Sequence, residues 1–135
     1  MAGVASGYLV ERMAAKPVAE LIVGAMRDPV AGPVMTIGAG GILVELLDDS
    51  ALLTLPTDEG AIREAIAGLK VAKLLAGYRG GLAGDVDALV AAVASAASYV
   101  VSNASIVDEL DINPIMVLPQ GDGVVAADAL IRLRK

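Results

Sequence analysis

Two acids and an amide near the end of the chain have the types and spacing of a site for a hard cation. The run is Asp111-Ile112-Asn113-Pro114, and Asp128 follows after a turn-rich stretch. Side chains alternate faces along an extended strand, so Asp111 and Asn113 point one way, while Leu110 and Ile112 point into a core. The apolar runs Ile115–Leu118 and Val124–Ala127 flank Pro119-Gln120-Gly121-Asp122-Gly123 and predict a hairpin. That hairpin returns Asp128 beside Asn113. Two carboxylates and an amide oxygen then form an oxygen-only ligand set. Mg²⁺ favours such a set, taking one or two carboxylates and leaving its other positions to nucleotide phosphates and water. A polar strand face closed by a proline has the same pattern, so spacing alone leaves both readings open.

Other residues invite similar questions. Glu11 lies on a strand-like run, Gly7–Met13, sharing a face with Leu9 and Met13, and Glu20 shares a face with Ile22. A carboxylate among apolar neighbours is costly unless it is paired or hydrogen-bonded. Both fit a contact to a ligand's hydroxyl or amino groups, and both fit the outward face of an edge strand. Arg27-Asp28 fits a guanidinium fork for phosphate, and equally a turn-forming aspartate before Pro29. Gly38-x-Gly40-Gly41 does not make a phosphate loop, because it lacks the third glycine of a dinucleotide fingerprint and the Lys-Ser/Thr of a P-loop. A hairpin turn is the better explanation. Tyr78-Arg79, set between glycines, reads as an exposed loop, with a lid or partner contact as the alternative.

The elements that must position these residues run strands, helices, strands. Pro17–Met26 reads as a strand, Arg27–Pro33 as a loop, Val34–Ile37 as a strand, Gly38–Gly41 as a tight turn, Ile42–Leu47 as a strand and Ala51–Leu55 as another. Thr57 is the expected N-cap of a helix whose buried stripe is Ala61, Ile62, Ala65, Ile66 and Leu69. Val71–Leu75 adds one helical turn. Asp85 is the expected cap of a long helix with Val86, Leu89, Val90, Val93, Ala97 and Val100 inside. The fold class expected is α+β: a mostly antiparallel sheet with helices packed on one face.

The 135 residues suit one domain with a real core. The net charge of −6 argues against nonspecific nucleic-acid binding. The one basic run, Arg132-Leu133-Arg134-Lys135, reads as a cut or frayed end rather than a patch. With no cysteine and no histidine, thiol catalysis, disulfides, a histidine base and a phosphohistidine carried by this chain are excluded. The longest apolar stretch, Ala88–Val101, is shorter than the roughly 20 residues needed to span a bilayer. No signal peptide is visible, so a cytoplasmic protein without membrane contact is expected.

Taken in order, these residues resemble a known family. Val10-Glu11-Arg12-Met13, Glu20-Leu21-Ile22-Val23-Gly24, Arg27-Asp28-Pro29 and Gly32-Pro33-Val34 come first. They are followed by Gly38-x-Gly40-Gly41-Ile42-x-Val44-Glu45, Leu74-Leu75-x-Gly77-Tyr78-Arg79-Gly80 and Glu109-Leu110-Asp111-Ile112-Asn113-Pro114, with Asp128 last. The ordered set is similar to the ATP-grasp module of the NDP-forming acyl-CoA synthetases, which include ADP-forming acetyl-CoA synthetases. The succinyl-CoA synthetase β subunit is a more distant relative.

The resemblance implies an ATP-grasp second lobe spanning residues 1–135, including the adenine hinge, with the upstream lobe absent. It implies ATP or ADP and Mg²⁺ as cofactors. Glu11, Arg12, Met13 and Ala14 would meet the adenine, mostly through backbone groups, and Glu20 the ribose or nearby atoms. Asn113 and Asp128 would be the Mg²⁺ ligands with Asp111 beside them, where relatives often carry Glu. The implied partners are the first ATP-grasp lobe and the CoA-binding and phosphohistidine domains. The chain would thus be part of an acid–thiol ligase and would not turn over alone. Two other readings remain at this point: a non-catalytic regulatory or assembly module of a synthetase-like protein such as a protein acetyltransferase, and a small α+β domain with an unrelated ligand.

Overall fold

The computed structural model describes residues 6–41 and 48–135. Among them, six strands form one sheet: β1 (Ala19–Asp28), β2 (Gly32–Ala39), β3 (Ser50–Thr54), β4 (Val107–Val117), β5 (Val124–Ala126) and β6 (Ala129–Leu133). The order is β3-β2-β1-β4-β5, with β6 also on β4, and every pairing is antiparallel. Among the described residues, three α-helices, α1 (Glu59–Ala67), α2 (Ala72–Leu75) and α3 (Val86–Ser102), and a 3₁₀ turn at Tyr78–Gly80 connect the two halves of the sheet. The α+β architecture expected from the sequence is the one observed.

Period-two patterning explains β1. Ala19, Leu21, Val23 and Ala25 are buried, and the residues between them are not. The buried set meets Met35 and Ile37 of β2 and Leu110, Ile115 and Val117 of β4, with Ile62 and Ile66 of α1 and Leu89, Val90 and Val93 of α3 above them. Each such aliphatic side chain contributes about 1.5–3 kcal/mol on burial. No aromatic residue takes part in this core. Ala96 and Ala97 are among the buried residues of α3, and small side chains there let the helix lie close to its neighbours. Among the described residues, the helices cover one sheet face only. The other face carries Glu20, Ile22, Gly24, Thr36, Gly38 and Asp111.

The expected caps are nearly as predicted. Asp85 caps α3, its carboxylate accepting from Ala88 N at 3.1 Å. It also accepts from Gly121 N and Gly123 N, both at 3.0 Å, and so ties the start of α3 to the β4–β5 turn. These three bonds hold its pKa below the ordinary aspartate range, the Ala88 bond weighing most. Gly84, just before it, is buried against the end of the sheet. A Cβ there would stand 2.9 Å from Leu75 Cδ2 and 3.1 Å from Val117 Cγ1.

Several expectations are corrected. Asp58, not Thr57, is the N-cap of α1, accepting from Ala61 N at 2.8 Å. Both residues are good caps, and only the register of the turn decides between them. Gly38 and Ala39 belong to β2, not to a tight turn, because β2 pairs with residues 50–54. The expected strand Ile42–Leu47 lies outside the described residues. Gly7–Met13 is not a strand. It has no ladder partner among the described residues, and Tyr8, Leu9, Val10 and Met13 are exposed. The first backbone bond from this segment to the sheet is Val18 N to Val117 O, at 2.8 Å.

The basic tail is not frayed. Residues 129–133 form β6, Arg132 pairs with Glu109, and Arg134 pairs with Asp108 at 3.1 Å. The Arg27–Pro33 loop is shorter than expected, because β1 and β2 close it to a turn at residues 29–31. Asp28 builds that turn, accepting from Val30 N and Ala31 N at 2.8 and 2.7 Å, and these bonds lower its pKa. Among the described residues, no helix is long and apolar enough to cross a membrane.

Candidate functional site

The uncovered sheet face gathers most of the chemistry-bearing residues. Gly24 pairs with Thr36 on one side and Asp111 on the other, and Asp111 pairs with Leu130 of β6. A Cβ at Gly24 would lie 3.9 Å from Asp111 Oδ1. Glycine at 24 therefore leaves the face beside Asp111 open. A second glycine, Gly38, paired with Ile22, makes room for β3 instead: a Cβ there would stand 3.0 Å from Asp49 O and 3.3 Å from Ser50 Cβ. Together with Thr36, Asp48 and Ser50 the two glycines line a shallow depression of about 230 Å³.

Asn113 sits on a β-bulge. Leu21 pairs with Ile115 and Val23 with Ile112, so Asn113 and Pro114 together stand opposite Ile22. Ile112 and Ile115 both keep contact with the core. The extra residue interrupts strict alternation and re-aims the chain locally, as bulges near functional sites do. The β5–β6 junction then brings Asp128 beside Asn113: Asn113 N donates to Asp128 O at 3.0 Å, and Ala127 N donates to Pro114 O at 3.0 Å.

Charge pairing singles out the same residues. Of the acids on β4, Asp108 and Glu109 are neutralised by Arg134 and Arg132. The side chains of Asp111, Asn113 and Asp128 have no hydrogen-bond or ion-pair partner among the described residues. They are half-buried to exposed, so their oxygens are open to a ligand. No group of three or more Asp or Glu among the described residues is gathered closely enough to hold a metal alone. This donor set fits a cation that draws its remaining ligands from phosphate and water.

Glu20 lies on the same face, toward the other end of β1, about 13 Å from Gly24 at strand spacing. It lines a groove of about 390 Å³ with Pro17, Gly40, Gly41, Val71 and Leu74. Its side chain also has no partner among the described residues. Glu11, Arg12, Met13 and Ala14 lie in the exposed segment before β1. Arg27 is committed elsewhere: its Nη1 donates to Ala104 O at 3.0 Å, tying β1 to the turn before β4. The clearance at Gly24 and the close approach of β3 at Gly38 drew no attention in the sequence. Their signal was a glycine inside an otherwise apolar strand.

Residues 2–133 match the family model described as the ATP-grasp domain. The chain belongs to the ATP-grasp family. It is 41% identical over 129 residues to a trans-feruloyl-CoA synthase from an unidentified prokaryote, covering 96% of this chain and 18% of that one. It is 35% identical over 119 residues to the ADP-forming acetate–CoA ligase II subunit beta of Pyrococcus furiosus, covering 88% and 50%.

Among solved structures, a Pyrococcus horikoshii protein superimposes with a TM-score of 0.83 at 33% identity, covering 90% of this chain and 51% of that one. The Candidatus Korarchaeum cryptofilum acetyl-coenzyme A synthetase 1, in complex with coenzyme A and Mg-AMPPCP, gives 0.80 at 38% identity, covering 89% and 55%. The resemblance to the acyl-CoA synthetase ATP-grasp module is therefore borne out. The chain spans half or less of the length of these curated relatives.

Proposed function

We propose that this chain is the nucleotide- and Mg²⁺-binding lobe of an NDP-forming acyl-CoA synthetase, coupling acyl-CoA thioester formation or cleavage to ATP and ADP. The observation that supports it most is the uncovered sheet face. Gly24 leaves it open, Asp111, Asn113 and Asp128 leave oxygens unpaired toward one end, level with Gly24 and Ile22, and Glu20 does so toward the other. An extended nucleotide laid along β1 would reach from Glu20 to the acidic end. Asp111, Asn113 and Asp128 would hold Mg²⁺ there with the phosphates, and Glu11–Ala14 would meet the base. Bound Mg²⁺ offsets phosphate charge during transfer.

The chain's own contribution is binding and orientation. It has no histidine to carry a phosphoryl group. A phosphohistidine domain, a CoA-binding domain and a facing ATP-grasp lobe are the partners this reading requires. One relative's designation as a subunit beta supports such a divided architecture. The free acidic oxygens favour this reading over a non-catalytic assembly module.

The test is a Mg²⁺-dependent ADP titration of the chain followed by amide NMR. Shifts clustered at Glu11–Ala14, Glu20, Asp111, Asn113 and Asp128 and dependent on Mg²⁺ are expected. Shifts elsewhere, or none up to millimolar nucleotide even after the facing lobe is restored, would overturn the proposal.

A further inference from the structure

Glu20 owes its place to two glycines. Gly40 N donates to Glu20 O at 2.7 Å, extending the β1–β2 ladder one step past the Leu21–Ala39 pair. A Cβ at Gly40 would stand 3.0 Å from both Glu20 C and Glu20 O and 3.1 Å from Leu21 C. These are backbone atoms within a sheet, so they cannot give way. The close approach that only glycine allows brings the next residue, Gly41, against the Glu20 side chain. Gly41 has a φ of +66°, which disfavours any L side chain, and a Cβ there would come within 2.9 Å of Glu20 Oε2. The Glu20 carboxylate thus occupies the space that a side chain at 41 would fill. It keeps both oxygens unpaired among the described residues, on the wall of the 390 Å³ groove.

We propose that Gly41, held in place by Gly40, is a positioning residue for the Glu20 carboxylate and thereby sets the preference for a nucleotide with ribose hydroxyls. The inference rests on the reading of Glu20 as a nucleotide contact. A carboxylate only accepts hydrogen bonds, and vicinal hydroxyls are donors that its two oxygens can take together. Such charge-assisted bonds are stronger than neutral ones and sensitive to displacement of the acceptor. A side chain at 41 forces Glu20 into another rotamer and takes those oxygens away from the sugar, while leaving base and phosphate contacts in place.

The experiment compares Mg·ADP with Mg·2′,3′-dideoxy-ADP, by NMR titration, on the wild type, Gly41→Ala, Glu20→Gln and the double variant. Glu20→Gln is expected to weaken ADP about tenfold, the size of one lost charge-assisted bond, and to leave the dideoxy analogue within about twofold. Gly41→Ala should reproduce that selective loss and add nothing in the Glu20→Gln background. Gly41→Asn carries the same Cβ but tolerates positive φ, so it should lose ADP likewise if Ala proves too unstable to titrate. Equal loss of both nucleotides, or a Gly41 effect that persists without the Glu20 carboxylate, would show that the glycine acts through the backbone and would overturn the inference. If Glu20→Gln leaves ADP binding unchanged, the reading of Glu20 itself fails and the inference goes with it, whereas a Glu20 effect without a Gly41 effect overturns the inference alone.

Discussion

Replacing Gly24 with valine should make the protein more stable and a poorer nucleotide binder at once. Gly24 is in the middle of β1, and its φ is not in the positive region. A Cβ there would meet only Asp111 Oδ1 and Leu110 O, both at 3.9 Å, which is ordinary contact. The sheet can therefore accept a side chain. Glycine in a strand costs roughly 0.5–1 kcal/mol relative to alanine, and a β-branched residue recovers that and more. Taking about 1 kcal/mol, and an unfolding entropy near 0.28 kcal/mol/K for 135 residues, Tm should rise by about 3–4 °C.

The same isopropyl group would stand on the uncovered face beside Asp111, where the proposal lays the nucleotide. Mg·ADP affinity should fall at least about tenfold, or 1.4 kcal/mol. Calorimetric melting and an NMR titration of the same sample check both numbers. A raised Tm with unchanged affinity would mean that the nucleotide does not lie on this face. A lowered Tm would mean that Gly24 has a packing role that the 3.9 Å contacts do not reveal.

Asp128→Ala removes an exposed carboxylate but not the backbone carbonyl that bonds Asn113, so stability should move by less than about 0.5 kcal/mol. The Mg²⁺ dependence of nucleotide binding should weaken several-fold, read by titrating Mg²⁺ at fixed ADP. Gly84→Ala forces a methyl to within 2.9 Å of Leu75 Cδ2 and should cost about 1–3 kcal/mol in chemical denaturation. Asp85 and Asp28 have lowered pKa values in the folded state, so their stabilising contribution is complete above the unfolded aspartate value, about 3.9, and is lost as pH falls through the lower folded values. Tm should drop on that acid limb, and Asp85→Asn should flatten it.

What the sequence disclosed was local. The β4–β5 hairpin followed from glycine and proline between two apolar runs, the buried stripe of α1 from its spacing, and the cap of α3 from Asp85. What it concealed was non-local. Gly7–Met13 alternates like a strand, but a strand exists only if another offers it hydrogen bonds. Arg132 and Arg134 looked like a solvated tail because their partners, Glu109 and Asp108, are more than twenty residues away. The bulge at Asn113 and Pro114 shows itself only when β1 is laid beside β4.

The candidate site divided along the same line. Asn113 and Asp128 were foreseen as neighbours because one hairpin joins them. The clearance at Gly24 and the crowding of Gly41 on Glu20 depend on strands that meet only in the sheet.

The one-sided covering of the sheet has an evolutionary corollary. Along β1, residues 19, 21, 23 and 25 answer to the interior, while 20, 22, 24 and 26 answer to whatever lies on the bare face. Two selective demands are interleaved at single-residue intervals on one strand, yet they scarcely compete. Lineages can exchange residues at the even positions to suit a new ligand without renegotiating the interior, and can repack the odd positions without disturbing what is bound. A scan of all substitutions along β1 would therefore show tolerance for folding and tolerance for binding out of phase by one residue.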